Sequence, residues 1–299
     1  MPKYRRIIKI INKDLNEDIF EKQKKNIADM CCSILESMGI YKIKLNVVIT
    51  NDENIYGLIK GNAAFNYKRR HYIVNLTTRL IEEYHKGNKY YLEVSILHEL
   101  AHLFDYYHAI SNKCVKKQLK INSTKRTKDF IFKYGYRFFT EFNAYRICVQ
   151  MYDKEFECET KYQMLQKYKR IKELDRKIRK QFNKDGTFCE VFDEYVGDID
   201  KFIYSFSKYL AVEIYGKNRK QNYCEKTMDS KEFKEFTKLE IGLARNMEKM
   251  CRGTYGKHFM TRINKVGLYI KDNIFTKLGM EFEEKKDKLI IRKAMRYWR

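Results

Sequence analysis

The chain has 299 residues, 44% of them hydrophobic, and 62 Lys and Arg against 39 Asp and Glu give it a net charge of +23. The apolar share excludes a disordered chain, and the length leaves room for one large domain or two ordinary ones. The positive surplus is spread over both halves of the chain, so it favours acidic partners, nucleic acid among them, without naming one.

Composition narrows the class further. A single proline and 13 glycines favour long helices over a loop-rich fold. The eight cysteines form no C-x-x-C pair and no compact framework, which points to free thiols in a reducing cytoplasm. The basic N-terminal segment lacks an apolar core and a small-residue cleavage site, so no signal peptide is expected. No uncharged apolar run of about 18 residues occurs, and no membrane span is expected.

In chain order, residues 16–38 read as an amphipathic helix, with Ile19, Ile27, Met30, Ile34 and Leu35 at helical spacing and Gly39 as its stop. YKIKLNVVIT alternates and predicts a strand with Ile43, Leu45 and Val47 on one face. A loop with Gly57 and Gly61 follows, then two strands, AAFNY and HYIVNL, joined by the turn Lys68-Arg69-Arg70. Thr77 or Thr78 is the expected cap of a short helix that ends at Gly87-Asn88.

The next helix, YYLEVSILHELAHLFDYYHAI, carries Leu92, Ile96, Leu100, Leu103 and Tyr107 at helical spacing. It contains His98-Glu99-Leu100-Ala101-His102. Residues four apart share one helical face, so both imidazoles can grip one metal ion while Glu99, beside them, activates water. That is the mechanical content of the H-E-x-x-H motif, two zinc ligands and a general base.

A catalytic zinc takes a third protein ligand, and two candidates compete. His108 has the spacing of the metzincin signature, but Asp105 stands where that signature needs Gly to leave the helix sharply. Glu141 is favoured. It is the sole acid between Asp129 and Asp153, in an apolar and aromatic run that predicts a helix from about Phe138. A buried carboxylate there needs a partner, and small Ala144 lets a second helix approach.

HELAHLFDYY followed by YGYRFFTEFNAY resembles the catalytic core of gluzincin peptidases of the anthrax lethal factor type. The matching positions are Asp105 after the motif, then Tyr134, Gly135, Glu141, Phe142 and Ala144. Ala101, Asn143 and Tyr145 depart from that pattern. The resemblance covers roughly residues 90–150 and implies a zincin-like core with zinc as cofactor and a protein or peptide as substrate. In that mechanism His98, His102 and Glu141 hold the metal and Glu99 is the general base. Tyr134 is the candidate donor to the tetrahedral oxyanion, with core packing as its alternative. Asp105 either orients a ligand or caps its helix. The strand HYIVNL could offer its edge to an extended peptide; His71 on it is read as structural.

Beyond residue 152 the pattern is helical: 155–182, with Tyr162, Leu165, Tyr168, Ile171, Leu174 and Ile178 as its stripe, then 190–216 and 231–251. No convincing strand signal follows. The expected fold is α+β: a zincin-like domain over 1–152, then an all-α basic domain over 153–299. Lys and Arg interleaved with Tyr and Phe over 162–220 and 289–299 make nucleic acid a possible partner of the second domain. The competing reading of the whole chain is therefore a nucleic-acid-binding protein with a secondary or inactive zincin core.

Overall fold

Asn16 starts the first helix. Its side-chain oxygen accepts the backbone N–H groups of Asp18 and Ile19 at 3.0 and 3.3 Å, and Glu17 and Asp18 place negative charge at the positive end of the helix dipole. Helix α1 (Glu17–Ser37) then buries Phe20, Ile27, Cys31 and Leu35 at four- and seven-residue spacing and ends before Gly39, whose φ of 71° glycine adopts without strain. Burial pushes the Cys31 thiol up to about 12. The computed structural model describes residues 6–51, 62–66, 71–119, 124–152, 158–185, 189–216, 230–251, 255–286 and 288–293.

Four strands form the main sheet: β1 (Arg6–Asn12), β2 (Ile43–Thr50), β3 (Asn62–Asn66) and β4 (His71–Thr77), in the order β1-β2-β4-β3. β1, β2 and β4 run parallel, and β3 is antiparallel to β4. The parallel β1–β2 pair is joined through α1, as a parallel pair must be by a crossover. Sequence reading had not anticipated β1. It also differs on β4, which lies between β2 and β3, so β3 rather than HYIVNL supplies the outer edge on that side. The loop with Gly57 and Gly61 and the turn Lys68–Arg70 lie outside the described residues.

Register aligns the buried faces. Leu45, Val47 and Ile49 of β2 sit opposite Tyr72, Val74 and Leu76 of β4. They share one core with Ile27 and Leu35 of α1, Leu80 and Ile81 of α2 (Thr78–His85), and Leu92, Ile96, Leu100 and Leu103 of α3 (Tyr90–Ala109). Each such side chain, once buried, contributes about 1.5–3 kcal/mol. Thr77 occupies the cap position of α2 without a side-chain cap bond.

The chain divides into two compact units, residues 1–108 with 143–153 and residues 109–142 with 154–299. The partition is discontinuous, where the sequence suggests a single boundary after residue 152. Helix α5 (Thr127–Met151) belongs to both units and begins well before Phe138. The second unit also contains α4 (Lys113–Leu119), α6 (Lys161–Asp185), α7 (Cys189–Tyr215), α8 (Lys231–Cys251) and α9 (Phe259–Ile270). A π-helical turn (Lys271–Phe275) and an antiparallel hairpin, β5 (Met280–Lys285) with β6 (Lys288–Lys293), follow. The hairpin corrects the expectation of an all-α C-terminal region. Its residues alternate charge with Phe282, Leu289 and Ile291, a weak strand signal, and Phe282 packs 4.8 Å from the ring of Phe130.

Helices α6, α7 and α8 meet over Tyr168, Phe202, Phe206, Tyr209 and Phe236, all buried. Three tyrosine hydroxyls in this core donate to a carboxylate that also meets a cation: Tyr168 with Glu235 and Lys172, Tyr195 with Asp175 and Arg179, and Tyr209 with Glu240 and Lys161. Lys167, Arg170 and Arg176 pair with Glu159, with Glu194 and Asp198, and with Glu232. The aromatic residues that alternate with Lys and Arg along α6 and α7 therefore include a large core set that cannot stack on bases. No helix among the described residues is long and apolar enough to cross a membrane.

Two glycines set the crossing of α5 with α9. A Cβ on Gly135 would come 2.2 Å from the Ile263 carbonyl oxygen, and one on Gly267 would come 1.8 Å from that of Ile131. The two backbones touch, so neither position admits a side chain. Gly267→Ala should destabilise the protein by at least about 1–3 kcal/mol, because the backbone must move. Gly197→Ala, at a helical position with open space, should stabilise it by about 0.5–1 kcal/mol. Chemical denaturation of both variants checks the contrast.

Acid should unfold the protein through its paired carboxylates. Burial opposes ionisation of Glu159 and Glu235, but the bonds from Lys167 and Lys172 outweigh it and hold both below the usual range. A depressed folded pKa gives stability that is complete above the unfolded value of about 4.3 and lost as pH falls through the folded one. Thermal melts should be flat from about pH 6 to 8 and fall steeply below about pH 4. Glu235→Gln should flatten part of that fall.

Candidate metal centre

Helix α3 is oriented by its apolar stripe. Leu92, Ile96, Leu100 and Leu103 are buried in the core of the first unit. At about 100° per residue, His98, His102 and Asp105 fall together on the opposite side of the helix, with Glu99 between the two faces. The two Nε2 atoms of His98 and His102 face each other 3.0 Å apart. Glu99 is buried, at 4% exposure.

Helix α5 runs antiparallel to α3. Asn143 donates to Asp105 at 2.6 Å, the Tyr145 ring lies 4.5 Å from that of His98, and Tyr152 donates to Glu93. Numbers rise along α5 as they fall along α3. Glu141 lies two residues before Asn143 on the same helix. One ligand atom from each of His98, His102 and Glu141 lies within 4.8 Å of the others, so the group could hold a metal ion. Glu141, Tyr145, Cys148 and Tyr152 share one face of α5. Burial first, and then the charge of Glu99, push the Cys148 thiol above its ordinary range.

The other sequence candidates fall elsewhere. Helix α3 continues to Ala109 with no break at Asp105, so His108 stands about 240° round the helix from His102. Its ring packs on Phe104 at 4.3 Å, and burial lowers its pKa. His71 opens β4, and its side chain lies outside the described residues. Tyr134 is seven residues before Glu141, about 10 Å of helical rise away. Its hydroxyl donates to Asp200 at 2.8 Å, and its ring packs on Phe130 and Phe275. Burial and the Asp200 charge hold its phenol well above the ordinary range. Core packing, the alternative for Tyr134, is what the geometry favours.

Sequence reading missed the pairing of Asn143 with Asp105 and the place of Tyr145 beside His98. Both residues had looked like mere departures from the gluzincin pattern. The available signal was Asn143 itself, an amide in a run where the apolar pattern leaves no room for one.

Tyr134→Phe removes only the hydroxyl that Asp200 accepts. It should cost about 1 kcal/mol of stability and leave metal content unchanged. An unchanged melting curve with reduced turnover would return Tyr134 to the chemistry.

No family model matches the chain, and neither does any curated protein or solved structure with which it was compared.

Proposed function

We propose that the protein is a zinc-dependent peptidase of gluzincin type. The observation that carries this reading is the convergence of His98 and His102, Nε2 atoms 3.0 Å apart, with Glu141 inside 4.8 Å and Glu99 buried beside them. Two imidazole nitrogens and one carboxylate oxygen suit zinc. Tetrahedral bonds of about 2.0–2.2 Å place donor atoms roughly 3.3–3.6 Å apart, a spacing that small shifts of these side chains would reach. The lethal-factor-type resemblance of residues 90–150 supports the same ligand set.

His98, His102 and Glu141 would hold the ion. A zinc ion there supplies Lewis acidity for a peptide carbonyl and lowers the pKa of water. Glu99 takes the proton of the attacking water and delivers it to the leaving nitrogen. Tyr134 stays with Asp200 and takes no part. An extended peptide is the proposed substrate, and the outer strand β3 offers it an edge for strand addition. Lys161, Lys167, Arg170, Lys172, Arg176 and Arg179 of α6 are engaged by acids, which leaves fewer of its cations for the nucleic-acid reading of that helix.

Metal analysis should find one zinc per chain. Glu141→Ala should lose most of it and His108→Ala none. Glu99→Gln should keep zinc while cleavage of casein or a peptide library falls by about 10²–10⁴-fold. Zinc that survives Glu141→Ala and disappears with His108→Ala would replace the ligand set. Cleavage indifferent to Glu99→Gln and to chelator would refute the peptidase.

A further inference from the structure

Asp105 carries a carboxylate into a position with 0% exposure, three residues past His102. Such a group is tolerated only with donors around it. Asn143, also at 0% exposure, gives its Nδ2 to Asp105 Oδ1 at 2.6 Å. Its own Oδ1 accepts two bonds from the Arg146 guanidinium, at 2.9 and 2.6 Å. An amide can donate to a carboxylate through its nitrogen and accept from a guanidinium through its oxygen at once. The bonds run one way, from guanidinium through amide to carboxylate, and each polarises the next.

The placement matters more than the bonds themselves. Asn143 is two residues past Glu141, and Asp105 is three past His102, each on the same helix as its ligand. Along a helix those steps are about 3 and 4.5 Å. The Asn143–Asp105 bond is therefore a crosslink between the two metal-bearing helices, less than one turn from a ligand on each. The geometry points to Asn143 as a positioning residue: its bond to Asp105, backed by Arg146, sets the crossing of α3 and α5 at which Glu141 meets His98 and His102. The inference rests on the zinc centre proposed above.

The test is zinc affinity of the full chain, measured by competition with a chromophoric chelator on protein whose fold is verified by circular dichroism. Asn143→Asp sets a second carboxylate against Asp105 and should weaken zinc binding by about 10–100-fold, as loss of a ligand-orienting partner does. Asp105→Asn combined with Asn143→Asp reverses the pair, with the guanidinium meeting the carboxylate directly, and should recover most of the affinity. Should Asn143→Asp not fold, Asn143→Ser, too short to reach both partners, carries the same expectation. A merely structural role would lower the melting temperature of the apo chain without this loss and recovery. Wild-type affinity in the folded single variant, or no recovery in the exchanged pair, overturns the crosslink alone. A wild-type chain that takes up no zinc overturns the metal centre and the crosslink together.

Discussion

Helix α5 must satisfy two sets of partners at once, and the rest of the structure depends on its doing so. Its first half is held within the second unit. Glu284 of β5 accepts the Thr127 N–H at the helix start, Gly267 of α9 abuts Gly135, and Asp200 of α7 takes the Tyr134 hydroxyl. Its second half is held within the first unit by Asp105, His98 and Glu93 of α3. A helix is nearly rigid over this length, with about 1.5 Å of rise and 100° of turn per residue. One residue of slip in either half would undo that half's own contacts. The glycine crossing and the amide–carboxylate bond both forbid such slip by geometry rather than by strength.

The charge pattern follows from the same demand. Buried ion pairs add little net stability, because desolvation offsets most of the attraction. The tyrosine–carboxylate–cation sets among α6, α7 and α8 are better understood as registers, since each has one arrangement that leaves no charge bare. The surrounding aromatic rings carry most of the energy. Glu194 and Asp198 of α7 and Glu232, Glu235 and Glu240 of α8 thus pair with cations of α6 at helix interfaces, and the net surplus of +23 is left to the remaining cations.

Local periodicity disclosed α1, β2 and α3, along with the histidine pair and Glu99, because each of those signals lies within about twenty residues. Glu141 was legible as a lone acid in an apolar run. What escaped depends on partners distant in the chain. Gly135 reads as a helix weakener, and its reason lies at Gly267. Tyr134 is one of 24 tyrosines, and its partner Asp200 is 66 residues away. The order of strands is absent from any single strand, so HYIVNL looked like an edge. The isoleucines of β1 read only as part of a basic N-terminal segment until β2 supplies their pairing.

The discontinuous first unit also has a history in time. Its sheet and α3 are complete once residue 109 has been made, yet the helix segment that packs on α3 through Asn143 comes later. The α9 glycine against which Gly135 rests follows later still. At about 5–20 residues per second, on the order of ten seconds separates synthesis of Gly135 from that of Gly267. During that interval on the ribosome the nascent α5 presents a bare glycine notch and an unmatched aromatic face. Slower translation would lengthen that interval in proportion.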